Sequence, residues 1–442
     1  MPTLSLAMIT KNEAAVLGHC LGSVRELVDE MVIVDTGSTD GTVAIAEGFG
    51  ARIGHFAWCD DFSAARNESL RLCTGDWVLV LDGDEAVDPL DHGRIRAAVA
   101  QAAVAGYTLV SRNYYPDGAA QLFDQPVIPN RSPYQEGAAF PFYADLPVFR
   151  LFRRYPDLRF QGRIHEMIFP YFQQRNLPMG DLDAVIHHYG KVDGAREQAK
   201  LAYYLELAER DAEQQPLDAD RQFFVMAQAE AAGLWPKALA AGLAVMRIRP
   251  KVIPFVVPTT IARAYQMLGR HQEALPYLFQ VLRGQPDHAL VLCRLPISLA
   301  ALGRAEEGRG YLARAMAAHP EDPMPHLVLC DLEEQAGRLP EARAAFRAAI
   351  ERQPRHPGLR QGLIQFDLRH QLQAQAAADA MEALRALPGQ GGGLWHALAA
   401  GFLLQSGHRV PGKAVLDLGL ATFPDHEALR SMAAALDRNP SA

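Results

Sequence analysis

Seven prolines keep time through the second half of this chain. They stand at Pro216, Pro250, Pro286, Pro320, Pro354, Pro388 and Pro424, with successive differences of 34, 36, 34, 34, 34 and 36 residues. Glycines run in the same register at Gly233, Gly269, Gly303, Gly337 and Gly407, with differences of 36, 34, 34 and 70. The last difference spans two periods, and Arg369-His370 lies near the place of the missing glycine. Between these marks the chain is built from Ala, Leu, Arg, Glu and Gln with apolar residues at helical spacing. Glycine supplies the turn inside each unit, and proline ends its second helix. A helix pair of this size cannot cover its own apolar face, so neighbouring pairs must stack. A generic helical bundle does not require a fixed period; a solenoid does.

Thirty-four residues per helix-turn-helix unit is the tetratricopeptide length. The spacing predicts an all-α solenoid over residues 196–442, with six units, the one over 360–390 degenerate. Gly389 to Gly393 reads as a loose turn between units. The concave surface of such an array binds peptide or protein segments; arrays also dimerise, or brace a neighbouring domain.

The first 195 residues read differently. Leu4 to Ile9, Met31 to Val34 and Ala51 to Gly54 are short apolar strands, separated by helical patterns over 14–27 and near Thr42 to Phe49. Asp61 to Leu70 reads as a helix with an acidic or serine N-cap. Val78 to Leu81 is a continuous apolar run, as in a strand buried on both faces of a parallel sheet. The alternation predicts an α/β domain with a doubly wound, mostly parallel sheet. Asp82-Gly83-Asp84 closes the central strand. Ligands of open α/β sheets bind beyond the carboxyl ends of the strands. Two carboxylates around a glycine there suit Mg²⁺ or Mn²⁺, with water and phosphate oxygens filling the remaining positions. As a bare pattern the same residues describe a solvated acidic turn.

Beyond residue 85 the signal thins. Tyr107 to Tyr115, Val148 to Arg153 and Ala184 to Gly190 read as strands. Residues 116–147 are rich in Pro, Gly, Tyr and Phe without periodicity, which marks a functional or mobile loop.

Several function classes are disfavoured. The net charge of −8 offers no basic field for nucleic acid. The five cysteines form no CxxC pair, as expected of reduced thiols in a cytoplasmic protein. No apolar run approaches a transmembrane length, and the opening apolar segment has no basic region before it. Zinc-hydrolase spacings such as HExxH are absent.

The ordered set MITKNE, VDEMVIVDTGSTDGT, WCDDFSAARNESL and GDWVLVLDGDE resembles the family-2 glycosyltransferases with the GT-A fold. The resemblance is dense over about the first 90 residues and thinner to about residue 190. It extends to a subgroup that joins this domain to tetratricopeptide repeats, including the sublancin-type enzymes that glycosylate peptide cysteines. It implies that Asp35 contacts the base or ribose of a nucleotide-sugar and that Arg66 lies near the uridine or diphosphate. Lys11 and Glu13, in the loop after the first strand, belong to the same donor-binding set. Asp82 and Asp84 become the DxD pair that holds a divalent metal on the diphosphate. The family pattern has Ala or Ser where Gly83 stands. Phe160-Gln161-Gly162-Arg163-Ile164-His165-Glu166 lies where inverting enzymes keep their base, with Glu166 the first choice and His165 the second. By the same resemblance a histidine of the last strand completes the metal site or touches the diphosphate; strand alternation lets only one of His187 and His188 face inward, and His187 is the expected one.

The expected activity is metal-dependent, inverting transfer of a hexose from a UDP-sugar to a peptide or protein acceptor guided by the repeats. An envelope glycan or lipid-linked acceptor is the alternative, and a non-catalytic repeat scaffold is the second. The sugar, the acceptor atom and the oligomeric state, including a homo-oligomer, are not readable from the sequence.

Overall fold

A computed structural model describes residues 2–115, 121–122, 125–190, 194–250, 255–354, 356–387, 393–406 and 408–438. By packing, the chain divides into two compact units, Met1–Leu268 and Gly269–Ala442. The strands of the sequence end near residue 188, yet the first unit continues through four further helices.

The first unit contains β1 (Leu4–Thr10), α1 (Leu17–Val24), β2 (Glu30–Asp35), α2 (Thr42–Gly48), β3 (Arg52–His55), α3 (Phe62–Leu72) and β4 (Trp77–Val80). Then come β5 (Glu85–Val87), α4 (Pro89–Val99), β6 (Gly106–Tyr115), β7 (Gln121–Leu122), β8 (Gln125–Pro126) and β9 (Ile128–Pro129). β10 (Phe142–Arg153), α5 (Phe169–Gln174) and β11 (Met179–His188) complete the sheet region. The helices that follow are α6 (Gly194–Gln214), α7 (Ala219–Ala231), α8 (Trp235–Ile248) and α9 (Val256–Met267).

The main sheet runs β3-β2-β1-β4-β10-β6-β11-β5. β3, β2, β1 and β4 are parallel neighbours. β10 meets β4 and β6 antiparallel, β11 joins β6 parallel, and β5 closes the edge antiparallel to β11. β4 therefore stands at the seam between a parallel half and a mixed half. Its neighbour on one side is parallel, as the apolar run predicts; its other neighbour is antiparallel.

Strand alternation sorts the core onto two faces. Leu4, Leu6 and Met8 of β1 join Trp77 and Leu79 on one face, packed with Leu17 and Leu21 of α1 and Ile95 of α4. Ala7, Val78 and Val80 face the other way, with Leu70 of α3 and Phe172 of α5. Helices on both faces make the domain doubly wound. Asp61 caps α3 by accepting from the Ala64 N–H at 2.9 Å, as the acidic N-cap signal predicts.

The second unit is helical throughout its described residues: α10 (His271–Gly284), α11 (Ala289–Ala301), α12 (Ala305–Ala318), α13 (Met324–Gln335), α14 (Leu339–Arg352) and α15 (Pro357–Arg369), then α16 (Gln373–Ala386), α17 (Gly393–Gln405), α18 (Arg409–Thr422) and α19 (Glu427–Arg438). Pairs open in sequence at α7, α9, α11, α13, α15 and α17, and α19 follows the last. Gly233, Gly269, Gly303 and Gly337 all have positive φ, from 68° to 76°. At the missing glycine, Gln371 adopts the same left-handed conformation at φ 60°. Gly407, Pro388 and most of the expected 389–393 turn lie outside the described residues. All five cysteines are free. Among the described residues no helix is long and apolar enough to cross a membrane.

Candidate active site

The site grows from the turn that follows β4. Gly83 packs closely on the loop after β1: a Cβ on it would stand 3.1–3.2 Å from the Glu13 side chain, tight enough that Glu13 would have to shift.

Asp82 does not point at open space. Its Oδ1 accepts from Arg66 Nη2 at 2.6 Å and its Oδ2 from Arg150 Nη2 at 3.1 Å. Burial opposes its charge, but the two guanidinium groups win and hold its carboxyl well below the usual carboxylate range. Arg66 Nε also pairs with Glu166 Oε1. Arg150 reaches toward buried Glu85 at 3.8 Å. Glu85 in turn accepts from the Asp82 N–H at 2.8 Å, which fixes the turn. Arg150 occupies a register break in β10, where Phe149 and Leu151 face the consecutive residues Thr108 and Tyr107. Such a bulge re-aims one side chain. Arg66 keeps one buried nitrogen, Nη1, without a hydrogen-bond partner among the described residues.

Asp84 faces a histidine. Its Oδ1 lies 3.8 Å from His188 Nε2. Asn113 Nδ2 donates to the Ser111 carbonyl at 3.2 Å, which turns its Oδ1 toward His188 Nδ1 at 2.7 Å. The ring therefore carries a proton on Nδ1, and in the neutral imidazole the Nε2 lone pair faces a carboxylate. Two electron-pair donors facing one another across a gap suit a divalent cation. Gly190 borders the same gap: a Cβ there would stand 2.6 Å from His188 Nε2 and 2.7 Å from Asp84 Oδ2. The residues present fit Mg²⁺ or Mn²⁺ through Asp84 and His188. Asp82, the other expected ligand, carries an arginine on each oxygen and still borders the cavity. The expectation of His187 is corrected. His187 is fully buried, its Nδ1 bonded to the Tyr114 hydroxyl at 2.7 Å and its ring stacked on Tyr114. Burial pushes its pKa down to about 4. The pairing of β11 sets His188 against Asn113 of β6 and Glu85 of β5, and alternation then turns His187 to the other face.

These groups line one cavity of about 1910 Å³. Lys11, Glu13, Arg66, Asp82, Asp84 and Glu166 all border it, and so do Arg150 and His165. Asp35 does not. Its carboxylate accepts from the Gly37 and Ser38 N–H groups at 3.1 Å and ties its own turn together, leaving it 6% exposed. The opposite wall comes from the first helices of the array: Tyr203 and Tyr204 of α6, Phe223, Phe224 and Gln228 of α7, and Arg263 of α9. Trp58 Nε1 donates to the Tyr203 hydroxyl at 2.7 Å. Sequence reasoning missed Arg150, His188, Asn113, Gly190 and Gln228. Only His188 had a signal, as one of an adjacent pair.

Residues 5–157 match the family described as Glycosyl transferase family 2. A TPR repeat-containing protein of Synechococcus elongatus is 38% identical over 168 residues, which cover 38% of this chain and 36% of that protein. The SPbeta prophage-derived glycosyltransferase SunS of Bacillus subtilis is 29% identical over 167 residues, covering 37% of this chain and 34% of that protein. The chain thus spans about a third of the length of these curated relatives. A solved thermophilic TPR protein of Thermus thermophilus is 23% identical, with a TM-score of 0.33, over 39% of this chain and 94% of that one. Residues 5–157 are thus similar to a family-2 glycosyltransferase domain, and a helical array with a 34-residue period follows the sheet.

Proposed function

We propose that this protein is a metal-dependent, inverting glycosyltransferase that moves a hexose from a UDP-sugar to a peptide or protein acceptor. The observation that carries the reading is the gap between Asp84 and His188, closed by Gly190 and set beside the Arg66–Asp82–Arg150 bracket. A divalent ion held by Asp84 and His188 would neutralise charge that develops on a departing diphosphate. Arg66 and Arg150 add fixed positive charge at the same place, and Asp82 keeps both guanidinium groups oriented. Lys11 and Glu13 border the donor side. Glu166 or His165 accepts the proton that the acceptor loses on attack. The cavity exceeds the roughly 300–1,000 Å³ of an ordinary ligand pocket. That leaves room for donor and acceptor together.

The peptide acceptor rests on the solenoid, whose surfaces suit extended segments. The functional division is a catalytic domain over 1–195 and a repeat array over 196–442, in a cytoplasmic protein. The test is turnover of UDP-hexoses with Mn²⁺, followed by mass-spectrometric screening of labelled products in protein and glycan extracts. Metal-stimulated turnover that Asp84→Asn removes supports the reading. Turnover indifferent to metal and to Asp84 overturns it. Labelled glycan without labelled protein replaces the peptide acceptor by an envelope one.

A further inference from the structure

The helix α7 belongs to the repeats by sequence, yet one of its residues departs from their rule. Gln228 stands five residues before the turn glycine Gly233. The same place in the next units holds Ala264, Ser298 and Leu332, all buried small or apolar residues. Gln228 is also buried, at 9% exposure, so a polar amide replaces a packing side chain. Its Nε2 lies 2.8 Å from His165 Nε2. The His165 ring stacks on Phe224 of the same helix, with centroids 4.5 Å apart and planes 22° from parallel. His165 itself is held in the left-handed region, at φ 51°. Backbone strain at a non-glycine residue persists where the surroundings enforce it.

The chemistry of the contact is one-sided. An amide nitrogen donates and has no lone pair to accept. His165 Nε2 must therefore be unprotonated, and the ring proton sits on Nδ1. Burial lowers the pKa of this imidazole, against the pull of Glu166, and so favours the neutral ring. The neighbouring Glu166 places Oε1 on Arg66, while its Oε2 makes no hydrogen bond among the described residues. Both residues border the cavity.

Resting on the glycosyl-transfer reading, we propose that Gln228 is a positioning residue. It holds His165 as the neutral Nδ1–H tautomer, a hydrogen-bond donor to the bound acceptor, and leaves Glu166 Oε2 as the proton acceptor. In the transfer, the acceptor atom bonds to the anomeric carbon and its proton passes to Glu166 Oε2. The bond from that carbon to the diphosphate oxygen breaks, and its electron pair leaves with the nucleoside diphosphate. A helix of the repeat array thereby sets which of two adjacent residues does the proton chemistry.

The test is ring ¹⁵N NMR of the full chain labelled at histidine, with the His165 signals identified by their loss in His165→Asn. The expected wild-type pattern is a protonated Nδ1 and a bare Nε2 at neutral pH. In Gln228→Glu the new carboxylate can only accept, so Nε2 gains a proton and the ring titrates at least one pH unit higher. A wild-type Nε2–H tautomer, or a ring that Gln228→Glu leaves unmoved, overturns the proposal. If Gln228→Glu does not fold, the wild-type tautomer decides alone. In UDP-hexose turnover with Mn²⁺, Glu166→Gln loses on the order of 100-fold or more, the usual range for general-base removal. An equal loss in His165→Asn overturns the assignment of the base. The expected tautomer without any nucleotide-sugar turnover leaves Gln228 as the residue that positions His165 and defeats the glycosyl-transfer reading.

Discussion

The two compact units obey different rules. In Gly269–Ala442 a residue's role follows from its place in the period: turn glycines recur, and buried alanines such as Ala274, Ala315 and Ala349 fill helix contacts. In Met1–Leu268 the decisive contacts join distant parts of the chain. Arg150 reaches Asp82 across 68 residues, and Arg66 reaches Glu166 across 100. Local repetition gives an array its fold and leaves chemistry to positions that break the pattern. Long-range pairing gives the sheet unit a site that no single motif contains.

The sharpest break of that contrast is chemical. Asp84→Asn should lower Mn²⁺-dependent UDP-hexose turnover by about 10²–10³-fold, the usual cost of removing a preorganised electrostatic stabiliser. Its melting temperature should match that of the wild type. Next, Arg66→Ala removes the cation shared by Asp82 and Glu166 and should cost about 3 kcal/mol in denaturant unfolding, the low end for breaking a buried pair. Arg369→Ala, on the exposed surface of the second unit, should cost less than about 1 kcal/mol. Comparable losses at both positions would erase the distinction. Asn113→Ala frees His188 Nδ1 and should weaken Mn²⁺ binding about 10–100-fold, measured by calorimetry. The smallest effect belongs to the array: Gln371→Gly relieves a left-handed non-glycine residue and should stabilise by up to about 1 kcal/mol. A loss of stability there would show that the repeat rule does not extend to the degenerate unit.

Removal of the array sharpens the same contrast. A deletion of 196–442 takes away α6, α7 and α9, which line the cavity. Ending the chain at Leu268 keeps them and asks only about the later repeats. If those repeats guide a peptide, the longer truncation should retain UDP-hexose hydrolysis and lose transfer to the acceptor in labelled-peptide assays.

Much of this was legible. The strands β1 to β4, the cap at Asp61 and the helix pairs all follow from periodicity, because each is a local rule applied to adjacent residues. The acidic turn was legible as a place but not as an arrangement. Spacing shows that Asp82 and Asp84 end a strand; it does not show that arginines occupy one of them. His187 and His188 illustrate the limit. Alternation requires that they face opposite ways, but only the pairing of β11 with β6 and β5 shows which one meets Asp84. Arg150 is hidden by a one-residue bulge in β10.

The sequence by itself determined the two architectures, the turn glycines and the end of β4 at which a ligand site must lie. Those follow from backbone sterics and hydrophobic period, which act over a few residues. Tertiary structure alone decided that Asp84 pairs with His188, that Arg66 and Arg150 bracket Asp82, and that Gln228 meets His165. Each of those contacts depends on strand register or on a helix packed against a loop from far away in the chain. No local pattern encodes a distance of that kind.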